Sequence, residues 1–331
     1  MLIIYTHFRR RKKRERKKTL SAGRWAVITG MLLLLCFPAL SLEGARKGLL
    51  LWYNTVLPTL LPFMIFSGLL IGMEAVPVLI TPFSPLLKRG LGLSDAGAFV
   101  LLTGMLCGYP MGAKNCSDLL DRKDLSLPEA RTLLAVSNFP SPMFLAGYMM
   151  TQAVQAAAGV PVFLWQMAVS IYLPALPIFF LASWLYGFRR RKDPGKLQTA
   201  DCRHSKTISG VLDEAMSSSA ETMVKIGMYL MLFSILARFI TLLPIPGDLL
   251  PVIFASAAEM TTGMDLASRT LSGLPALLVI TGAGAFGGFS GVFQVNSVLK
   301  NAGLSIRHYV LWKTVHMLGA CFVFTLLWGP R

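Results

Sequence analysis

The sequence predicts an all-α polytopic membrane protein. It has about six full spans plus two re-entrant or broken-helix segments, in two inverted repeats. Three observations carry this prediction. Only 15% of the 331 residues are charged, while 54% are hydrophobic; a soluble chain carries about 25% charged residues. The apolar residues come in runs of roughly 18 to 25, the length that spans a bilayer as a helix, and alternating strands of about 10 residues, as a barrel needs, are absent. Two Gly-rich stretches then interrupt the hydrophobic pattern at matching places in the two halves.

In chain order, a basic cytoplasmic segment (1–24) precedes the first helix and its link (25–47), with the first span at 25–42. A basic n-region, the apolar run from Trp25 and the Ala39-Leu40-Ser41 site also resemble a signal peptide, but the run is nearly a full span and an uncleaved helix is expected. The first repeat covers 48–150: a span at 49–73 holding Pro58 and Pro62, a mixed surface segment at 75–95, the Gly-rich stretch 97–113, a polar connection, and a span at 132–150 containing SNFPSP. A connecting span (162–186) and a basic cytoplasmic loop (188–206) lie within 151–206. The second repeat, 207–331, holds a span at 222–243, a short segment around AEMTTG, the Gly-rich stretch 273–291 and a last span at 309–328.

The net charge of +16 is concentrated: ten of 32 Lys and Arg lie in the first 24 residues and seven between Arg189 and Lys206. Such clusters can bind nucleic acid. Here they flank apolar spans, so they read as topology signals that touch anionic lipid head groups. The protein is expected in the cell membrane, multi-pass, with its N-terminus cytoplasmic. Keeping both basic loops inside requires the stretch 97–113 to re-enter rather than cross, and Gly and Pro supply the non-helical backbone of such a turn. The five cysteines (Cys36, Cys107, Cys116, Cys202, Cys321) show no metal-ligand or disulfide spacing. No cofactor, metal site or nucleic-acid partner is expected, and a homo-oligomer is compatible with the sequence.

The halves align through their Gly-rich stretches. Thr103-Gly104 falls on Thr281-Gly282, and Gly108-x-x-x-Gly112 on Gly287-x-x-x-Gly291. Upstream, PFMIFSGLL (62–70) resembles YLMLFSILA (229–237). One extra span between the halves inverts the second. Paired broken helices in inverted repeats are the pattern of a secondary transporter with a midplane site; Gly-x-x-x-Gly alone also serves close helix packing. The expected broken-helix backbone is Gly104, Gly108, Pro110 and Gly112 in the first half and Gly282, Gly287, Gly288 and Gly291 in the second.

The stretch GYPMGAKNCSDLLDRKDLSLPEARTLLAVSNFPSPMFL, with EMTTG and GGFSGVFQVNSVL later, resembles the YlbJ family of sporulation integral membrane proteins. The resemblance covers about residues 44–328. GYPMGAK and the SN-x-P-SP element at 137–142 are its specific parts, and the basic N-terminus is not shared. It implies a Gate or nucleoside-recognition domain, shared more remotely with concentrative nucleoside transporters and with part of the ferrous-iron transporter FeoB. It further implies an endospore-forming bacterium and movement of a small polar solute between mother cell and forespore, with dipicolinic acid the leading candidate.

Candidate residues follow. Lys114 is either a snorkelling positive charge at a helix end or the partner of an anion beside two helix N-termini. Asn115, Ser117, Ser137, Asn138, Ser290, Gln294 and Asn296 can read the edges of a solute or bond to backbone freed by the breaks. Glu259, with Thr261 and Thr262, is the candidate ion-coupling group, because an ionisable residue at membrane depth is a functional hypothesis by default; an interfacial carboxylate at a short helix end is the alternative. The expected function is a secondary transporter or facilitator of a small carboxylate. The alternatives are a nucleoside or nucleobase transporter, or a non-transporting membrane assembly factor for spore cortex or coat. No constellation for catalysis is found, so an enzyme is not expected.

Overall fold

The computed structural model describes residues 23–188, 207–300 and 303–328, apart from Ala26, Ser84 and Ala158. The basic stretches at 1–22 and 189–206 lie outside the described residues. No strand occurs among those described. Five of their helical stretches are long and apolar enough to cross a membrane, one of them, Gly273–Val298, being two helices joined at Gly287, and the protein is a multi-pass membrane protein.

Helix α1 (Gly23–Cys36) ends at Phe37, whose backbone leaves the helical region (φ −127°, ψ 61°). Pro38 then opens α2, a continuous helix of 35 residues (Pro38–Gly72). This corrects the expected link near residues 43–48. Glu43, Arg46 and Lys47 lie inside the helix, and two of their charges are answered from elsewhere: Glu43 meets Arg238 at 3.0 Å and Lys47 meets Asp265 at 2.6 Å. A π-turn over Trp52–Val56 precedes Pro58, where a missing N–H would interrupt the α-helical ladder. Residues 76–90 form short turns rather than a span, as expected, but Val76, Ile80 and Leu87 are buried against the core.

Four pairs of short helices follow, two in each half. Helices α3 (Asp95–Cys107) and α4 (Met111–Asp121) meet at Gly108–Pro110. Helix α5 (Leu127–Val136) and the helical stretch α6 (142–156) meet at Ser137–Ser141. Helix α7 (Leu164–Tyr186) closes the first half and α8 (Ile208–Ile240) opens the second. Helices α9 (Leu249–Ala258) and α10 (Met260–Thr270) meet at Glu259; α11 (Gly273–Phe286) and α12 (Gly288–Val298) meet at Gly287; α13 (Ile306–Trp328) ends the chain's described part.

Each half therefore reads long helix, broken pair, broken pair, long helix. The two opening helices run antiparallel. Gly44 of α2 lies against Ile235 of α8, Trp52 Nε1 donates to the Met223 carbonyl at 2.9 Å, and Gly72 lies against Val211. The two closing helices do likewise: Gln166 Nε2 of α7 donates to the Leu327 carbonyl of α13 at 3.1 Å, while Trp312 Nε1 donates to the Tyr186 hydroxyl at 2.8 Å. An inverted repeat has this geometry.

The order of elements corrects the expected register. Helices α3–α4 correspond to α9–α10, not to α11–α12. The glycine match was misleading because the α9–α10 break contains neither Gly nor Pro, so a count of helix breakers passes over it. The better sequence marker is Leu125-Ser126-Leu127-Pro128 against Leu271-Ser272-Gly273-Leu274-Pro275, since Ser126 and Ser272 stand at the N-caps of α5 and α11.

Large apolar side chains on α2, α7 and α13 point outward; Phe66, Trp184 and Phe322 are each more than 60% exposed. Such a surface suits lipid rather than water. The α2–α8 seam sets how closely the halves approach. A β-carbon at Gly48 would lie 2.8 Å from the Leu230 carbonyl oxygen and the Met231 Cα. Gly48→Leu should therefore separate two backbones, at a cost of about 1–3 kcal/mol. Thermal unfolding of the detergent-purified variant should show a clearly lowered midpoint, and an unchanged midpoint would contradict this packing.

Candidate functional site

The four breaks converge. In the first half, Tyr109 N–H donates to the Phe139 carbonyl at 3.1 Å, and Ala113 N–H donates to Asn138 Oδ1 at 3.0 Å. The break at 137–141 thus caps the helix that begins at the other break. Gly104 and Gly112 permit this, since a β-carbon at either would overlap the Ser137 carbonyl oxygen. In the second half, a β-carbon at Gly288 would stand 3.2 Å from the Met260 backbone nitrogen, so these two breaks also touch. Gly287 adopts φ +88°, a left-handed conformation that favours glycine.

Two tyrosines join the halves. The Tyr109 hydroxyl meets Met260 Sδ, and the Tyr148 hydroxyl donates to the Thr261 carbonyl at 2.8 Å. Helix α13 and α7 serve the carbonyls that the breaks leave free. Lys313 Nζ donates to the Asn138 carbonyl at 2.8 Å and Tyr172 donates to the Pro140 carbonyl at 2.9 Å. The His316 ring nitrogens lie 2.7 Å from the Ile171 carbonyl and 3.3 Å from that of Ala285.

A cavity of about 370 Å³ opens at this convergence. Gly108 and Tyr109 from the first break, Pro140 and Ser141 from the second, and Met260 and Thr261 from the third line it, together with Phe144, Tyr148, Gln152 and Gln294. The Phe144 and Tyr148 rings stack at 5.3 Å. The lining is mostly apolar, including Leu51, Leu60, Met143 and Leu230, with aromatic, hydroxyl and amide groups among these and no ionisable acid or base apart from tyrosine and Cys107.

The predicted residues divide. Gln294, Thr261 and Gly108 line the cavity. Ser290 accepts from Gln294 at 3.1 Å. Ser137, Asn138, Gly104, Pro110 and Gly112 do not line it; they belong to the first-half breaks, where Gly104 and Gly112 pack on Ser137 and Asn138 accepts from Ala113. Asn115 is buried elsewhere, donating to Ser67 and Thr103 at 2.9 Å each, and Ser117 accepts from Lys300 N–H at 3.0 Å. Asn296 is exposed on α12 and does not join the others. Gly282 packs inside α11 against Cys321, and Gly291 faces open space. Lys114 does not reach the central cavity. It pairs with Asp118 at 2.7 Å on the wall of a second, mixed-charge cavity of about 950 Å³, where Lys300, Arg122, Glu74 and Glu214 also stand.

Glu259 is fully buried at the third break. Its carboxylate accepts from Thr261 N–H (3.1 Å), Thr262 N–H (2.7 Å) and the Thr261 hydroxyl (2.5 Å), so it caps its own helix α10. The Thr262 hydroxyl oxygen is buried with no hydrogen-bond partner among the described residues. Sequence reasoning missed Lys313, Tyr109 and Tyr148. Lys313 had a legible signal: a lysine three residues before His316 in the otherwise apolar span 309–328. The tyrosines had none, because an aromatic in a membrane helix is ordinary.

The chain is similar to the sporulation integral membrane protein YlbJ of Bacillus subtilis (strain 168), 29% identical over 327 residues, covering 88% of this chain and 79% of that protein. This supports its membership of the YlbJ family. No family model matches the chain, and no solved structure does. The YlbJ relation makes this a sporulation-associated integral membrane protein.

Removing the Glu259 cap should be costly, because two buried N–H groups lose their acceptor, at about 1–3 kcal/mol each. Glu259→Ala should melt well below wild type, whereas Glu259→Gln, which keeps one carbonyl oxygen, should fall between. Equal melting of all three proteins would show that the cap contributes nothing.

Proposed function

We propose that the protein is a secondary transporter or facilitator of a small carboxylate solute, with dipicolinate the leading candidate, across a membrane of a spore-forming cell. The observation that carries this reading is the meeting of three helix breaks on one cavity, with the fourth packed against the third. Breaking a helix inside an apolar protein leaves backbone groups to be answered by other means, and such breaks are tolerated where they line a cavity. Inverted repeats with discontinuous helices at the centre are the architecture of alternating-access carriers. Lipid and the solute are the partners on this reading, and no chemical conversion of the solute is required.

A second reading has its own support. The central cavity sets stacked rings and a few amides and hydroxyls in a largely apolar lining, which suits a neutral, flat solute with few hydrogen-bonding edges, such as a nucleobase or nucleoside.

Uptake by proteoliposomes holding the purified protein separates the two. Labelled dipicolinate should accumulate above empty vesicles, and a nucleoside panel should not. Gln294→Leu, which removes an amide from the cavity wall, should lower uptake by about tenfold while the melting temperature holds. Uptake of nucleosides alone would favour the second reading. Uptake of neither, in either ion gradient, would leave a membrane assembly factor as the better account.

A further inference from the structure

We infer that Lys313 is the group that selects an anionic solute, its ammonium pairing with a carboxylate admitted past the ring of Tyr109. The inference rests on the transport reading and deepens it.

Lys313 is only 1% exposed, in the middle of α13. Its amine has one acceptor, the carbonyl of Asn138 in the second break. No ion pair to Lys313 occurs among the described residues, whereas Lys47, Lys88, Lys114, Lys225 and Lys300 each have one. A buried ammonium without a counter-charge is costly, and a neutral donor would satisfy a carbonyl equally well. The position is therefore unexplained as structure alone.

Its surroundings supply an explanation. The amine stands 5.8 Å from the centroid of the Tyr109 ring, and Tyr109 lines the central cavity. Tyr109 thus adjoins both the buried amine and the space for a solute. The ring rests against Gly287 and packs on the apolar cluster that includes Met260, and its hydroxyl is held by the Met260 thioether, a weak acceptor, so admitting a solute requires the ring to leave that packing.

Three of the four helices that start at a break have a side chain at their N-terminus, and α12, which starts beside Tyr109, has none. Glu259 occupies that of α10, Asn138 takes an N–H of α4, and Ser141 takes an N–H of α6 at 3.2 Å. Lys313 adds a full basic side chain against a residue that lines the cavity. A carboxylate placed against it gains a desolvated partner, and a neutral isostere of the same shape gains none.

The test compares pyridine-2,6-dicarboxylate with pyridine-2,6-dicarboxamide, the same ring without charge, using uptake into proteoliposomes and ligand-induced thermal stabilisation of the full chain. Wild type should favour the diacid by about tenfold or more. Lys313→Gln, which can still donate to the Asn138 carbonyl, should lose that preference through weaker diacid binding, and Lys313→Arg should keep it. Retained diacid preference in a folded Lys313→Gln protein would overturn the assignment while leaving transport intact. Equal handling of the two compounds by wild type would overturn it even if both variants failed to fold. Absence of any uptake, with nucleosides included, would sink the transport reading and this inference together.

Discussion

Backbone satisfaction at the four breaks is the constraint on which the rest of the structure depends. Where a helix stops inside an apolar protein, its N–H and C=O groups lose their intrahelical partners and no bulk water replaces them. Here the breaks answer one another. The Phe139 carbonyl takes the Tyr109 N–H, and the Asn138 side chain takes the Ala113 N–H. Asn138 works on both sides, because its own carbonyl receives Lys313. The close fit of Gly104 and Gly112 on Ser137 follows from this mutual capping, since strands of backbone that exchange hydrogen bonds must approach within a few ångströms.

Helix α13 then acts as a polar strut. Lys313 and His316, on one face, reach carbonyls contributed by the second break, by α7 and by α11. The Phe139 ring packs edge-on to His316 at 5.3 Å, so the apolar and polar contacts of the break fall on the same residues. This ties the last helix of the second half to the second break of the first half. The antiparallel α2–α8 seam ties the halves at the other side of the molecule, where the charges of Glu43 and Lys47 find partners in the second half.

Much of this was legible in the sequence for physical reasons. Apolar run lengths report spans because the bilayer has a fixed thickness. The Tyr109-Pro110 and Gly287 breaks announce themselves because Pro and Gly disrupt helices locally. The Glu259 break does not, because its device is a side chain that folds back onto N–H groups two and three residues on, a local cap made by an ordinary E-M-T-T sequence with no Gly or Pro to mark it. The same difficulty misplaced the link after α1: Glu43 and Lys47 look like loop residues until Arg238 and Asp265 are brought to them from about 200 positions away. Lys114 stands two residues after GYPMG and so reads as central, yet one helical turn carries it from the break to the wall of the other cavity, where Asp118 meets it.

The electrostatics of the centre differ from what paired broken helices suggest by themselves. Helix N-termini attract anions only while their N–H groups are free. At α10 the carboxylate of Glu259 already occupies that end, so the helix does not present free N–H groups as a positive pole. At α4 and α6 neutral side chains, Asn138 and Ser141, take the corresponding groups. A cavity built this way is largely apolar and nearly charge-free at its surface. A charge set beside its lining then adds discrimination between anion and neutral solute. Such a charge acts strongly because little water screens it. Lys313, against an aromatic ring that lines the space, is placed to act in this manner.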